Sequence, residues 1–173
     1  VYTYSGNTMI INVSNSGAFY SRDSITLDNR GRPLNMRQYS NVAGTTWTNY
    51  AMEYNGDALL KYLETTHAGG SPKTITAVSS GGNTTQVQAP PTTINLEYHT
   101  DKGVQRGDYL ELIGLLQYGV NIYPHKNLIK AIDAGGGSIT NFNYEFNSDG
   151  LISKLTTTSG TTTSTITYQY ACN

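Results

Sequence analysis

The sequence predicts an all-β protein built from one large, curved antiparallel sheet. Three features indicate this class. Apolar and polar residues alternate in many short segments, glycine-rich and asparagine-rich turns separate these segments, and the overall composition favours strands and turns. The chain of 173 residues contains 14 tyrosines against 3 phenylalanines, together with 18 glycines. Tyrosine and threonine favour strands, whereas glycine and asparagine favour turns. This length suits a single domain over residues 1–173.

The clearest hairpin covers residues 143–155, around an Asn-Ser-Asp-Gly turn. Its aromatic residues alternate with polar ones before the turn, which is the period of a half-buried strand. After the turn, we expect Leu151 and Leu155 on one face and Ile152 on the other. A threonine-rich strand over residues 161–170 then completes an antiparallel meander.

Weaker copies of this pattern predict the other strands in order. Residues 58–66 fit either a strand or a short helix, and we predict a strand because the preceding turn resembles the one at 143–155. The Pro90-Pro91 pair cannot lie in a central strand, so it marks an edge or a connection. In total we expect about ten to twelve strands. The remaining strands are predicted as a hairpin over 1–13 and as single strands at 19–27, 34–39, 45–54, 73–78, 84–89, 92–98 and 127–133.

One segment, residues 108–118, has the pattern of a helix instead. Asp108 can cap its start, with Glu111 placed as in a capping box. Residues at helical spacing form an apolar stripe, namely Tyr109, Leu112, Ile113 and Leu116. We therefore predict an apolar insertion over residues 107–125 that lies on the sheet. It either plugs the open face of the sheet or guards a hydrophobic cavity there.

The histidines and the cysteine give no pattern of a catalytic or metal site. The histidines at 67, 99 and 125 lie in separate loops without metal-ligand spacing, so we expect them to be solvated. A single cysteine, Cys172, cannot form an intrachain disulfide, and no basic neighbour activates it. The sequence therefore predicts no metal, no cofactor and no catalytic residue.

Three glutamates, Glu53, Glu97 and Glu145, each precede an aromatic residue in a repeated turn motif. Paired carboxylates can hydrolyse glycosides when a groove holds them at a suitable separation. The repeat itself explains these positions, since each glutamate falls on the solvent face of a strand. We expect Glu145 to lie opposite Lys154 across the hairpin.

The charge is too small and too scattered for a polyanion partner. Eleven basic and 12 acidic residues give a formal net charge of −1, with no cluster typical of nucleic-acid or anionic-membrane binding. No apolar run is long enough for a membrane-spanning helix. Because the chain starts at Val1 rather than methionine, we expect a longer precursor from which an export signal has been removed.

Four segments repeat an apolar residue, an acid or asparagine, a polar turn and often glycine. They cover residues 25–31, 52–56, 96–103 and 144–150. The segment Phe-Asn-Ser-Asp-Gly-Leu resembles, more weakly, the tyrosine-aspartate repeats of large secreted bacterial shell proteins. The first segment departs from the pattern, with leucine where an aromatic residue is expected.

Most of the chain resembles a family of uncharacterised exported proteins of Bacteroidetes, often lipoproteins, that contain a domain of unknown function. The matching segments are Glu145–Leu155, Thr161–Tyr170 and Leu110–Leu128. The resemblance implies a porin-like or half-barrel antiparallel sheet with a leucine-rich insertion against its concave side. It implies an exported location in the cell envelope of a Gram-negative bacterium, with a removed N-terminal anchor, and no enzymatic activity.

These observations leave three hypotheses for function. The first is a non-enzymatic envelope protein that binds a lipid or another hydrophobic small molecule on the concave face. The second is a surface module that recognises carbohydrate or protein through exposed aromatic rings. The third is a purely structural scaffold, and a hydrolase is disfavoured. The candidate ligand-binding residues are Tyr109, Leu112, Leu116, Tyr118, Tyr123 and Trp47.

Overall fold

A computed structural model describes residues 2–118 and 123–170, including all of their side chains except those of residues 2 and 115–118. These ranges contain 13 strands in one sheet and the helix α1 (Tyr109–Tyr118). The strands are β1 (Tyr2–Ser5), β2 (Thr8–Asn15), β3 (Ala18–Leu27), β4 (Pro33–Tyr39), β5 (Trp47–Asn55), β6 (Ala58–Thr66), β7 (Lys73–Ser80), β8 (Asn83–Ala89), β9 (Thr92–Gly103), β10 (Asn127–Asp133), β11 (Ile139–Phe146), β12 (Ile152–Ser159) and β13 (Thr162–Thr167).

The order of the strands in the sheet is their order in the chain. Each strand pairs antiparallel with the next, and the sheet is open, with β1 and β13 as its edges. This arrangement confirms the predicted all-β antiparallel meander, including the strand at 58–66, and exceeds the expected number of strands by one. Among the described residues, no helix combines the length and apolar character that crossing a membrane would require.

One face of the sheet, the inner face, carries the hydrophobic core. A single short helix cannot cover so many strands, so the sheet must curve around its own side chains to bury this face. The buried residues form two clusters, and the half-buried rings of Tyr62 and Tyr123 pack against both. The first cluster contains Met9, Ile11, Ile25, Met36, Met52, Leu59 and Ala77. The second contains Ile75, Val87, Leu96, Ile129, Phe142 and Leu155.

The hairpin at 143–155 contains a β-bulge that the alternation did not predict. Phe146 pairs with Ile152, and the register between β11 and β12 shifts at this point. As a result, Ile152 and Leu155 are both fully buried, whereas Leu151 is 37% exposed. The expectation that Leu151 shares the buried face with Leu155 is therefore wrong, because the extra residue in the bulge reverses the alternation.

The last strand is shorter than predicted. β13 ends at Thr167, whereas the sequence pattern suggested a strand to residue 170. The two tyrosines beyond its end use their hydroxyl groups as hydrogen-bond donors. Tyr168 donates to the carbonyl of Gly107 at 3.0 Å, and Tyr170 donates to the carbonyl of Ile152 at 2.8 Å. The first contact ties the C-terminal segment to the residue just before Asp108, and the second ties it to β12, to which the Tyr168 N–H also donates through the carbonyl of Ser153 at 2.9 Å.

The ladder between β10 and β11 is incomplete. Only three pairs join the two strands, at the end next to their connecting turn, and the last is Ala131 with Asn141. Beyond that pair, residues 127–130 and 143–146 are not joined by the ladder. The start of α1 lies in this gap.

Candidate functional site

Asp108 fills the gap between β10 and β11 with its carboxylate. The residue is fully buried. One oxygen, Oδ2, accepts a hydrogen bond from the backbone N–H of Ile129 at 3.0 Å and another from the hydroxyl of Tyr144 at 2.9 Å. The carboxylate therefore takes the place of the missing strand pairing and joins β10 to β11.

The other oxygen, Oδ1, caps the helix. It accepts hydrogen bonds from the N–H groups of Leu110 at 3.0 Å and Glu111 at 3.3 Å. This confirms Asp108 as the helix cap. The reciprocal half of a capping box does not form, because the Asp108 N–H donates to the carbonyl of Gln105 at 3.0 Å instead.

His125, at the far end of the insertion, completes the set of donors around Asp108. Its Nε2 lies 2.8 Å from Asp108 Oδ1, and its Nδ1 lies 2.9 Å from the carbonyl oxygen of Tyr123. A carbonyl oxygen and an ionised carboxylate can only accept hydrogen bonds, so both ring nitrogens must carry a proton. His125 is therefore an imidazolium cation paired with a carboxylate, and both side chains are fully buried.

The pKa values of the pair move in opposite directions. Burial alone would raise the pKa of Asp108, but the hydrogen bond and charge of His125 and the donors at Ile129 and Tyr144 outweigh it and hold the pKa below its ordinary value. Burial alone would lower the pKa of His125, but the hydrogen bond to Asp108 outweighs it and raises the pKa. Both shifts favour the charged pair.

The expectation that the histidines lie in loops and are solvated is wrong for His99, which lies in β9 with its Nε2 buried. It is also wrong for His125. Asp108 and the Tyr123 carbonyl enclose its ring, and Tyr98 stacks against it with ring centroids 6.1 Å apart. Both of its nitrogens are used for structure, which leaves neither for proton transfer or metal binding. Among the described residues, no group of three histidine, cysteine, aspartate or glutamate side chains has the geometry of a metal site.

Further contacts hold the end of the insertion at residue 124. Thr84, which is fully buried, donates both its N–H and its hydroxyl to the carbonyl of Pro124, at 3.2 and 3.1 Å. Tyr98 in turn donates to the carbonyl of Thr84 at 2.7 Å. The insertion is therefore fastened to the sheet at its start and at its end.

Three of the predicted ligand-binding residues lie in the described part of the insertion. The ring of Tyr109 packs on Phe142 with centroids 4.5 Å apart, and Leu112 is half-buried in α1. Tyr123 packs against both hydrophobic clusters. The side chains of Leu116 and Tyr118 lie outside the described residues. Trp47 lies on the outer face of the sheet, so the structure does not bring it together with the others.

One cleft lies beside the insertion, and a second lies on the inner face of the sheet. The larger, of about 280 Å³, lies where the insertion returns to the sheet. Its lining includes Ala58 and Pro124, together with the turn between β7 and β8. The smaller, of about 190 Å³, contains Tyr62, Ile75 and Ala89 of the inner face, with Glu64 and Lys73 at its polar side.

The three glutamates singled out in the sequence all pair with lysines on the neighbouring strand. Glu145 lies opposite Lys154, as expected, with oxygen and nitrogen 2.6 Å apart. The other two pairs have separations of 3.2 Å, and they are Glu53 with Lys61 and Glu97 with Lys130. All six residues lie at the surface, so the structure gives these carboxylates the role of strand-surface ion pairs.

A second buried carboxylate, Asp23, lies on the inner face of β3. It is fully buried, and neither of its oxygens has a hydrogen-bond partner among the described residues. Burial raises its pKa from 3.8 to about 6. Gln38 lies opposite in the ladder between β3 and β4, and its amide offsets part of this effect without a hydrogen bond of normal geometry.

Comparisons with known proteins define the class of fold. No protein-family model matches the chain, and no curated protein matches it. Among solved structures, the chain is similar to a porin-like protein from Bacteroides uniformis, with a TM-score of 0.68 and 14% sequence identity. The match covers 97% of this chain and 76% of that one. At this identity the likeness shows the fold alone, and it supports the porin-like all-β sheet that the resemblance to Bacteroidetes proteins implies.

Proposed function

We propose that the protein is a non-enzymatic component of the bacterial cell envelope that binds a small hydrophobic or amphipathic molecule on its inner face. The observation that carries this proposal is the smaller cleft, which is lined by Tyr62, Ile75 and Ala89 of the inner face, with Glu64 and Lys73 beside them. Apolar side chains with a few polar groups are typical of small-molecule sites. The larger cleft adds space next to Pro124, where the insertion returns to the sheet.

The clefts favour a small ligand. Pockets that enclose a drug-sized molecule hold about 300–1,000 Å³, whereas the two clefts hold about 280 and 190 Å³. The Glu64–Lys73 pair, 3.6 Å apart at the smaller cleft, adds polar groups that suit the head of an amphipathic molecule. A carboxylic acid with a single medium-length chain fits this combination better than a lipid with two acyl chains.

Similarity to other proteins supports a location in the cell envelope. The similar solved structure is called porin-like, and it comes from a Bacteroides species. The chain resembles exported Bacteroidetes proteins in its turn motifs. We propose the same location for this protein, with attachment through a lipid anchor. The surface ion pairs and the hydrogen bonds of His125 favour a non-enzymatic role, because lysines pair with Glu53, Glu97 and Glu145 and both ring nitrogens of His125 already have partners.

Substitutions that fill the clefts test the proposal. We expect the wild-type protein to bind decanoate in isothermal titration calorimetry, and to carry a small apolar compound in native mass spectrometry after gentle purification. Ala58→Trp should fill the larger cleft and Ala89→Trp the smaller one, because a large ring replaces a methyl group in the lining. At least one of these two variants should lose decanoate binding.

Ala51→Trp is the matched control, since Ala51 lies on the outer face of β5, opposite the core. It should bind decanoate as the wild type does. A wild-type protein that is free of ligand and does not bind decanoate would contradict the proposal and favour a purely structural scaffold. The other candidate, surface recognition, is favoured by the aromatic and arginine residues around Trp47.

A further inference from the structure

Trp47 belongs to a compact group on the outer face of β3, β4 and β5. Arg22 pairs with Tyr39, and Tyr39 pairs with Trp47, in one row across the three strands. The guanidinium of Arg22 lies 4.7 Å from the centroid of the Tyr39 ring, and that of Arg37 lies 4.6 Å from the Trp47 ring. We call these four residues the guanidinium patch.

The patch is held in place from the sheet side. Tyr39 and Trp47 are half-buried, and Arg22 and Arg37 are exposed above them. The loop between β4 and β5 closes one side of Tyr39, where a Cβ on Gly44 would lie 3.6 Å from the ring. Arg37 Nε also donates to Asn49 Oδ1 at 3.3 Å. A guanidinium stacked on a ring keeps the N–H groups at its edge available for an anion.

Neither arginine of the patch is neutralised by the protein. Among the described residues, no carboxylate forms an ion pair with Arg22 or Arg37, whereas Arg30 and Arg32 both pair with Asp57. The neighbouring outer-face residues of β2, β3 and β5 are uncharged: Ile10, Asn12, Ser24 and Asn49. The patch is therefore a local excess of two positive charges on a chain with a net charge of −1.

From this geometry we propose that the guanidinium patch binds an acidic polysaccharide, with two carboxylate groups of the sugar chain paired to Arg22 and Arg37. The two residues lie on adjacent strands and on a diagonal. Diagonal neighbours of this kind are about 7–8 Å apart, with their Cβ atoms somewhat closer. A planar guanidinium binds a carboxylate through two parallel hydrogen bonds. Amide and hydroxyl groups beside the arginines suit the hydroxyl groups of an otherwise neutral sugar chain.

The small number of charges disfavours other polyanions. A protein that binds DNA typically contacts about 6–10 phosphates, and recognition of an anionic membrane surface typically uses clusters of about 4–8 basic residues. Two isolated, preorganised guanidiniums instead match a ligand whose carboxylates are spaced along a polar, uncharged chain. An acidic peptide has the same charge without the sugar hydroxyls, and the experiment separates the two.

The test compares three probes of similar length by calorimetric titration: de-esterified oligogalacturonate, a neutral galactan oligosaccharide and oligoglutamate. We expect only the oligogalacturonate to bind, and to shift the indole N–H resonance of Trp47, the sole tryptophan in the chain. Arg22→Gln combined with Arg37→Gln should weaken this binding at least tenfold. Arg22→Lys combined with Arg37→Lys should restore only part of it, because lysine lacks the planar pair of donors.

Lys130→Gln combined with Lys154→Gln is the matched control. It also removes two positive charges from the outer face, but these two lysines are already paired with glutamates, at 3.2 and 2.6 Å. Binding by this control should equal that of the wild type. Absence of oligogalacturonate binding, or equal losses in the two double glutamine variants, would overturn the proposal. Oligoglutamate binding as tight as oligogalacturonate binding would overturn the assignment to a polysaccharide.

Discussion

Two aspartates of this protein are equally buried and yet differ in their hydrogen bonds and in the protonation state that burial favours. Asp108 and Asp23 are both 0% exposed. Asp108 accepts five hydrogen bonds, whereas neither oxygen of Asp23 has a partner among the described residues. The pKa of Asp108 is consequently lowered, and that of Asp23 is raised to about 6. The hydrogen-bond donors around a buried carboxylate, and not its burial, therefore decide whether it is charged and stabilising.

The surroundings of the two aspartates also differ. Around Asp108, a polar junction joins α1, β10, β11 and the end of the insertion. Around Asp23, the inner face has apolar neighbours such as Ile11, directly opposite on β2, and Ile25, together with Gln38 on β4, and it supplies no hydrogen bond to the carboxyl. Substitutions at the two sites should therefore change stability in opposite directions.

Removal of the Asp108 carboxylate should have the largest effect. We expect Asp108→Ala to lower the free energy of unfolding by about 3–5 kcal/mol, because it leaves the buried imidazolium of His125 without its counter-ion. Urea unfolding at neutral pH measures this loss. The exposed Asp101→Ala is the control and should change the free energy by less than about 0.5 kcal/mol. A similar, small change in both variants would mean that the five hydrogen bonds are not stabilising.

Removal of His125 should cost less than removal of Asp108. The carboxylate keeps four of its five donors in His125→Leu, so we expect a loss of about 2 kcal/mol, the value of a hydrogen bond to a charged group. The measurement is again urea unfolding, with His67→Leu as the control, because His67 is exposed. A loss as large as that of Asp108→Ala would show that the charge of His125 outweighs the other donors.

The pH dependence gives this pair a distinct signature. Because the folded-state pKa of His125 lies above its ordinary value of 6.5, its contribution is fully present below that pH. The contribution is lost as the pH rises through the folded-state pKa. Unfolding free energies of the wild type and of His125→Leu should therefore converge as the pH is raised above 6.5. A constant difference over this interval would contradict the assignment of an imidazolium.

Asp23 should respond in the opposite sense. A carboxyl whose pKa is raised from 3.8 to about 6 destabilises the folded state progressively between these values, and fully above them. We expect Asp23→Asn to raise the free energy of unfolding by about 1 kcal/mol at neutral pH, since it removes the buried charge but keeps a buried polar group. The gain should disappear below pH 3.8, which an acid titration of urea unfolding can test.

An exposed pair should show the smallest effect. Glu145→Gln removes the ion pair with Lys154, but the two side chains are 64% and 39% exposed. Surface pairs of this kind contribute about 0–1 kcal/mol, so we expect a change at the lower end of that range in thermal or urea unfolding. A loss comparable to that of His125→Leu would mean that this exposed ion pair contributes as much to stability as the buried hydrogen bond between His125 and Asp108.

The strands could be predicted because their signals are local. Each hairpin turn is specified by a few adjacent residues, as at Asn147, whose side-chain Oδ1 accepts the N–H groups of Asp149 and Leu151. The bulge that buries Ile152 could not be predicted in the same way. It changes the alternation by one residue, and only the pairing with Phe146 reveals it.

The polar junction was only half predictable. The capping role of Asp108 follows from the residues just after it. Its partners Ile129, Tyr144 and His125 are 17 to 36 positions away, and no sequence spacing links them. The outer-face position of Trp47 could have been predicted from the alternation of side chains along β5. Trp47 and Glu53 are an even number of residues apart and share a face, whereas Met52 points to the opposite face.

The strictly sequential order of the strands has a consequence for folding kinetics. Nearly all of the pairing joins strands that are adjacent in the chain, so the loops that must close are short and their entropy cost is low. The sheet can therefore form by zipping from more than one hairpin, as repeat proteins do. The hydrogen bonds with the largest separations in the described part of the chain are those of Tyr168 to Gly107, over 61 positions, and of Tyr170 to Arg106, over 64 positions. We expect these contacts to form last, after the sheet has assembled, and to join the C-terminal segment to the start of the insertion.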